Sequence, residues 1–304
     1  MTLSDAVPPA AGRGPARLLF GLTLGQAFAT VFDLPGMFAK AAILPFILGI
    51  LFAIVGALLA SVDPLVLLAW QIAAILPLAL LGVAYSRLSL LGRAAGALPR
   101  PLLGRRTWGW FGYILLMGLI TLVPAVVVFL LFFADQLHMP AGAEQLPEIV
   151  GRRILIMFPA LPLIYLVTLY VVTRLSLVFP AIAVDRKLGL GGSWRLTRGG
   201  NGFRLYGALL VMSITCMAAV FFLTITLGGL VGFFLSFLGA LPGNAEQVNV
   251  IAILLLAVPL YVFVTALNYL VFALMVAVLA AAYAQLSGWR DGSEDVPTSV
   301  GWSG

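Results

Sequence analysis

Six apolar runs constrain this chain more than any other feature. They cover residues 41–60, 65–85, 110–133, 154–173, about 205–241 and about 250–284. A helix needs roughly 20 apolar residues to cross the hydrocarbon core of a bilayer. No water reaches the backbone there, so a run of that length spans as a helix. Composition settles one question. The chain is 62% hydrophobic and 9% charged, against about 25% charged in a soluble domain. A water-soluble fold of 304 residues has too little interior to hide so many apolar side chains. The expected fold is therefore all-α: a polytopic integral membrane protein of about six transmembrane helices, with amphipathic helices at the interface.

Charge sets the orientation. Arg87, Arg93, Arg100, Arg105 and Arg106 follow the second run, and Arg174, Arg186, Lys187, Arg195, Arg198 and Arg204 follow the fourth. Arg13, Arg17 and Lys40 lie before the first run, and Arg290 lies after the last. Only Arg152 and Arg153 fall on the other side. The positive-inside rule then places both termini in the cytoplasm. In a soluble protein a net charge of +6 would raise nucleic acid as a partner. Here the cations read as topology signals and contacts for anionic headgroups, and no nucleic acid is expected. Cys216, the single cysteine, lies in an apolar run and reads as a small buried hydrophobe.

Residues 1–16 and 288–304 are expected to be disordered cytoplasmic tails around one helical membrane domain, 17–287. The first 15 residues lack the basic-then-apolar layout of a cleavable signal peptide. Segment 17–36 reads as an interfacial helix. Phe20, Leu24, Phe28 and Val31 recur at helical spacing, Thr23, Gln26, Thr30 and Asp33 form a weakly polar side, and Asp33-Leu34-Pro35-Gly36 marks a turn. The last two runs, at about 35 residues each, would exceed about 50 Å as straight helices, so they must tilt, break or protrude. Gly228, Gly229 and Gly232 are the expected weak point of the fifth, and Gly228, Gly232 and Ser236 share a face suited to close helix packing. Pro45, Pro77, Pro124, Pro159, Pro162, Pro180 and Pro259 imply kinks or breaks in or beside the spans.

An internal repeat is visible. Arg-Leu-Ser-Leu occurs at Arg87 and at Arg174, each time at the inner end of an even-numbered span. A basic, Gly-containing connector follows each copy, and then an aromatic approach to the next span: Trp108, Trp110 and Tyr113, or Phe203 and Tyr206. The sixth span ends Tyr283-Ala284-Gln285-Leu286, a weaker echo without the arginine. The spans therefore read as repeated hairpins, a layout common in transport folds that also arises by plain duplication.

The most distinctive stretch is 174–206. Ser193 is the expected N-cap of a short helix holding Trp194, Arg195 and Arg198, which Gly199 and Gly200 end. Arg195 and Arg198 share a face, Trp194 sits at headgroup depth, and Arg204 follows. Arg174, Arg195, Arg198, Arg204 and Trp194 are candidate contacts for an anionic lipid phosphate. The competing reading is topology charge alone. Arg87 and Arg174 are expected to snorkel from the span ends. Asn268, with Tyr269, is either interhelical glue or a polar site within the membrane. No catalytic, metal or cofactor site is expected. His138 is the sole histidine, among scattered acids, and no phosphate-binding loop, nucleophile elbow or zinc-protease motif occurs.

Arg174-Leu-Ser-Leu-Val-Phe-Pro180-Ala and Ser193-Trp-Arg-Leu-Thr-Arg-Gly199 resemble the signature of a bacterial membrane-domain family. It comprises domains fused to some glycerophosphodiester phosphodiesterases and stand-alone YciC-like inner-membrane proteins. The resemblance extends over roughly residues 17 to 287. It implies a six-span protein of the bacterial inner membrane, without phosphodiesterase activity, because the catalytic domain is a separate soluble unit. The leading functional expectation is a non-enzymatic protein that binds anionic lipids or a protein partner, or its own copies, through its basic face in envelope maintenance. The alternative is a transporter or channel component for a lipid-like or small solute. The two differ in whether a polar cavity opens near Asn268.

Overall fold

A computed structural model of the chain describes residues 17–59, 63–95, 101–133, 162–239 and 245–289. Most of both expected tails, the connection carrying His138 and the start of the fourth run lie outside the described residues. The helices are α1 (Phe20–Asp33), α2 (Pro35–Leu59), α3 (Pro64–Ala73), α4 (Leu76–Leu91), α5 (Arg105–Phe133), α6 (residues 162–175), α7 (Val178–Ala183), α8 (Leu190–Leu196), α9 (Asn201–Gly239) and α10 (Ala245–Ser287). Among the described residues no strand occurs. Six stretches are long and apolar enough to cross a membrane: Pro35–Leu59, Pro64–Leu91, Arg105–Val128, Pro162–Ala183, Asn201–Leu230 and Val262–Ser287. The fold is that of an all-α, multi-pass membrane protein.

Two prolines set the breaks. Pro77 has no N–H for the carbonyl of Ala73, and α3 stops there, with Ala74 and Ile75 as a turn before α4. Pro180 deprives Ser176 in the same way, so α6 ends and α7 begins across the turn at Ser176 and Leu177. Pro45, Pro124 and Pro259 sit inside continuous helices. The break expected at Gly228–Gly232 is absent. α9 runs unbroken for 39 residues and α10 for 43, or about 58 and 64 Å at the α-helical rise. Of the alternatives, the continuous forms remain: these helices tilt or protrude. At Gly228 and Gly232 an added Cβ would meet no atom of the described residues within 4 Å.

The bundle is packed at one end. α4 lies at its centre, with α2, α5, α7 and α10 around it, and α9 and α1 against α10. Leu81, Val83 and Leu88 of α4, Leu177 and Val178 beside α7, Leu205 and Met212 of α9, and Val278 of α10 are almost fully buried. All belong to the halves that meet the Arg-rich connectors. Away from that end, Ile43, Ile47, Leu51, Ile54 and Leu58 form an exposed stripe on α2 at three- and four-residue steps. In a membrane that stripe faces lipid. Two side chains lock the packed end. The Trp110 indole N–H donates to the Phe179 carbonyl at 3.0 Å and its ring meets Phe179 at 4.4 Å. Gly82 leaves the space for it, because a Cβ there would fall inside the Trp110 ring.

α1 divides its apolar repeat between the protein and the outside. Thr23, Ala27 and Val31 are buried, while Phe20, Phe28 and Phe32 are exposed. The weakly polar side packs on the protein because it has partners there. Gln285 on α10 accepts from the Leu19 N–H at 3.2 Å and donates to Gln26 Oε1 at 3.1 Å. The phenylalanines are left for lipid, where exposure costs nothing.

Candidate functional site at the basic end

The connectors after α4 and α7 meet at the packed end, and they use their arginines differently from the sequence expectation. α8 begins at Leu190 with Gly189 as its cap, so Ser193 is not an N-cap. Ser193 is fully buried within α8, and its hydroxyl donates to the Arg174 carbonyl at 2.6 Å. Gly199 does end the turn, at φ 63°. Arg174 bonds back onto α8. Its Nη2 donates to the Trp194 carbonyl at 2.9 Å and its Nε to Thr197 Oγ1 at 3.1 Å. Its guanidinium carbon stands 3.6 Å above the Trp194 ring and 5.8 Å from Tyr170. A cation stacked on an indole and bonded to the last turn of α8 holds that helix down.

The five candidate lipid contacts differ in what they meet within the protein. Arg174 and Trp194 are joined to each other. Arg204 donates to the Leu18 carbonyl at 3.2 Å, and Asn201 Oδ1 accepts from the Leu18 N–H at 3.0 Å, so both residues pin the buried Leu18. Arg195 and Arg198 are exposed on the surface of the same connector. Arg87, the repeat partner of Arg174, is bonded to protein as well, with Nη1 3.3 Å from the Ala183 carbonyl.

Asn268 and Tyr269 also diverge. Asn268 is exposed, and its amide donates to the Val264 carbonyl of its own helix at 3.0 Å. The Tyr269 hydroxyl donates to the Pro45 carbonyl at 3.2 Å, which ties α10 to α2. Beside Tyr269 lies a groove of about 460 Å³ among α1, α2, α4 and α10, walled by Phe32, Phe38, Phe46, Tyr85 and Leu270. Its walls are apolar, and Asn268 does not line it.

A second cavity, of about 370 Å³, lies between the first turns of α5 and the turn after α7. Arg105, Arg106, Gly109, Tyr113, Ile182 and residues 185–189 line it. Asp185 is its one carboxylate and stands at φ 59°, the left-handed region that Asp enters more readily than most residues. Arg106 grips both oxygens. Its Nε lies 2.8 and 2.9 Å from Oδ1 and Oδ2, and its Nη2 also bonds Oδ2. The Arg106 hydrogen bonds, with further pull from Arg87 and Arg105, hold the Asp185 carboxyl below the usual carboxylate range, against the opposing effect of partial burial. Arg186 is steadied by the Trp289 ring at 5.5 Å. Trp289, expected in the tail, thus packs on the membrane domain.

Sequence reasoning did not assemble this cavity. The residues sit in the first turns of α5 and at and after the end of α7, about 80 positions apart, and no local spacing reveals that Arg106 and Asp185 meet. The available signal was the run Asp185-Arg186-Lys187 opposite Arg105-Arg106, each after one copy of the repeat.

No family model, no curated protein and no solved structure matches the chain.

Proposed function

We propose that this protein is a non-enzymatic component of the bacterial inner membrane, with both termini in the cytoplasm, whose basic end binds anionic lipid headgroups in envelope maintenance. The supporting observation is a belt at the packed end in which exposed Trp108 and Trp194 accompany exposed Arg105, Lys187, Arg195 and Arg198. Tryptophans favour the headgroup level, and arginine and lysine there attract anionic lipid at about 1 kcal/mol each. The Arg-Leu-Ser-Leu repeat and the resemblance to YciC-like membrane proteins agree with this reading and with its orientation.

The test is the lipid that stays with the purified protein. Wild type is compared with a variant carrying Arg105→Gln, Lys187→Gln, Arg195→Gln and Arg198→Gln, by native mass spectrometry from membranes of known composition. Enrichment of anionic over zwitterionic lipid in wild type, reduced severalfold in the variant, is the expected result. Equal lipid profiles would overturn the reading. The groove beside Tyr269 is apolar and is not lined by Asn268, so it lends no support to transport by way of Asn268.

A further inference from the structure

The cavity between α5 and the α7–α8 connection has a charge arrangement that membrane topology alone does not require. The positive-inside rule asks only that cations lie on one side. It does not ask four of them to converge on one concavity, where they repel one another. Arg105, Arg106, Arg186 and Lys187 all line this cavity, and the one carboxylate among them, Asp185, is engaged by Arg106 through both oxygens. Arg105, Arg186 and Lys187 therefore line the cavity with no carboxylate of its lining left to balance them, Arg186 with its guanidinium also over the Trp289 ring.

A second observation points the same way. Arg105 and Arg106 open α5, a helix of 29 residues with no acidic residue in its first turn. That end of a helix carries positive partial charge and unpaired N–H groups, and it favours anions over arginines. An anion seated there would relieve both the crowding of side chains and the unfavourable dipole. The volume, about 370 Å³, falls in the range of about 300–1,000 Å³ common for small-molecule sites. Gly109 and Gly189 bring backbone to the wall without side chains of their own. Tyr113 lines the inner part, and exposed Trp108 stands beside the first turn.

We propose that this cavity is a phosphate-group site, with Arg105, Arg186 and Lys187 as its ligands and the Arg106–Asp185 pair as the wall that fixes its shape. Arginine supplies a planar fork matched to phosphate oxygens, and lysine adds a compact charge. The group it recognises is a phosphate ester, carried either by a lipid headgroup or by a water-soluble phosphate. This rests on the proposed lipid-binding role only for the first of those sources.

The experiment uses the full chain in phosphatidylcholine nanodiscs. Binding is measured in two arms: phosphatidic acid incorporated in the disc, read by native mass spectrometry, and glycerol 3-phosphate or inorganic phosphate added in solution, read by calorimetry. Arg186→Gln/Lys187→Gln is set against Arg17→Gln/Lys40→Gln, which removes the same charge at exposed positions outside both the cavity and the proposed lipid-binding belt. The expected result is binding in at least one arm that the first pair weakens about tenfold or more and the second pair leaves within about twofold. The arm that responds identifies the source. Equal weakening by both pairs would overturn the cavity while leaving a general preference for anionic lipid intact. No binding by wild type in either arm would also overturn it. Thermal melting reports whether each variant folds, and Lys187→Gln alone, at an exposed position, tests the site if the double variant does not.

Discussion

Replacing Arg174 separates a residue that merely counts as positive charge from one that builds the fold. Its guanidinium makes two hydrogen bonds, at 2.9 Å to the Trp194 carbonyl and 3.1 Å to Thr197 Oγ1, and stacks 3.6 Å from the Trp194 ring. Hydrogen bonds from a charged group contribute about 1.5–3 kcal/mol each when well shielded, and a cation–π contact about 0.5–1 kcal/mol at an exposed site. Arg174 is half-buried, so water replaces part of what is lost. Arg174→Ala should therefore cost roughly 2 kcal/mol. Arg174→Lys keeps the charge, and with it the topology signal, but loses the Nε bond and the flat stacking surface. It should keep less than half of the contribution.

The assay is equilibrium unfolding in mixed micelles, followed by tryptophan fluorescence and circular dichroism. A double-mutant cycle with Trp194→Leu should give a coupling of about 1 kcal/mol between the two side chains. If Arg174→Lys unfolds with wild type while Arg174→Ala does not, charge alone suffices and the clasp argument is wrong. If both are silent, α8 is held by Ser193 and the neighbouring apolar contacts instead.

Other positions give equally direct outcomes. Gly82→Val should destabilise the bundle by about 1–3 kcal/mol, the usual range for overpacking, because its Cβ would overlap the Trp110 ring; a wild-type melting curve would refute the packing. Trp110→Phe should cost about 0.5–1.5 kcal/mol by removing the indole donor to the buried Phe179 carbonyl, which the same unfolding assay reads. Asp185 has its carboxyl held below the usual range, so its ion pair adds stability at neutral pH that fades as pH falls through the acid range toward its lowered value; Asp185→Asn should flatten that part of the pH–stability curve, and an unchanged curve would rule the pair out as its source. Gln285→Arg should speed hydrogen exchange across α1, while Gln285→Glu should leave it near wild type; the reverse order would refute the role given to Gln285.

The spans were legible because the hydrophobic requirement for crossing lipid is blunt: about 20 apolar residues, nearly regardless of order. What was not legible depends on what each face meets. In α1 the apolar repeat Phe20, Leu24, Phe28 and Val31 marks an interfacial helix but does not say which of its residues meet the protein: Phe20 and Phe28 stay outside and Val31 is buried. In lipid an apolar face needs no burial, and the side with hydrogen-bonding groups packs inward. Thr23 and Gln26 therefore face α10 while Phe28 and Phe32 stack on each other outside. Glycine was a poor guide to breaks for a related reason. Gly228–Gly232 weakens a helix in water, but in lipid a broken backbone costs more than a flexible one, and only proline removes the hydrogen bond outright. The candidate site was hardest to see, because Arg106 and Asp185 meet through tertiary packing of the start of α5 against the turn after α7.

The repeat explains what the packed end has in common. Arg87, Arg174 and Gln285 occupy the same place in the three even-numbered span ends, and each satisfies the terminus of a small peripheral helix. Arg87 reaches the Ala183 carbonyl, the last residue of α7. Arg174 reaches the Trp194 carbonyl in the last turn of α8. Gln285 accepts from the Leu19 N–H at the start of α1. Helix C-termini offer bare carbonyls and negative partial charge, which a guanidinium matches; helix N-termini offer bare N–H groups, which need an acceptor. The third copy lacks arginine because its partner has the opposite polarity. An arginine at 285 would set donor against donor and positive charge against a positive helix end. A glutamate would still accept from Leu19, and Gln26 Nε2, which has no partner now, can turn to donate to it. The same position thus clasps three different segments onto one end of the bundle.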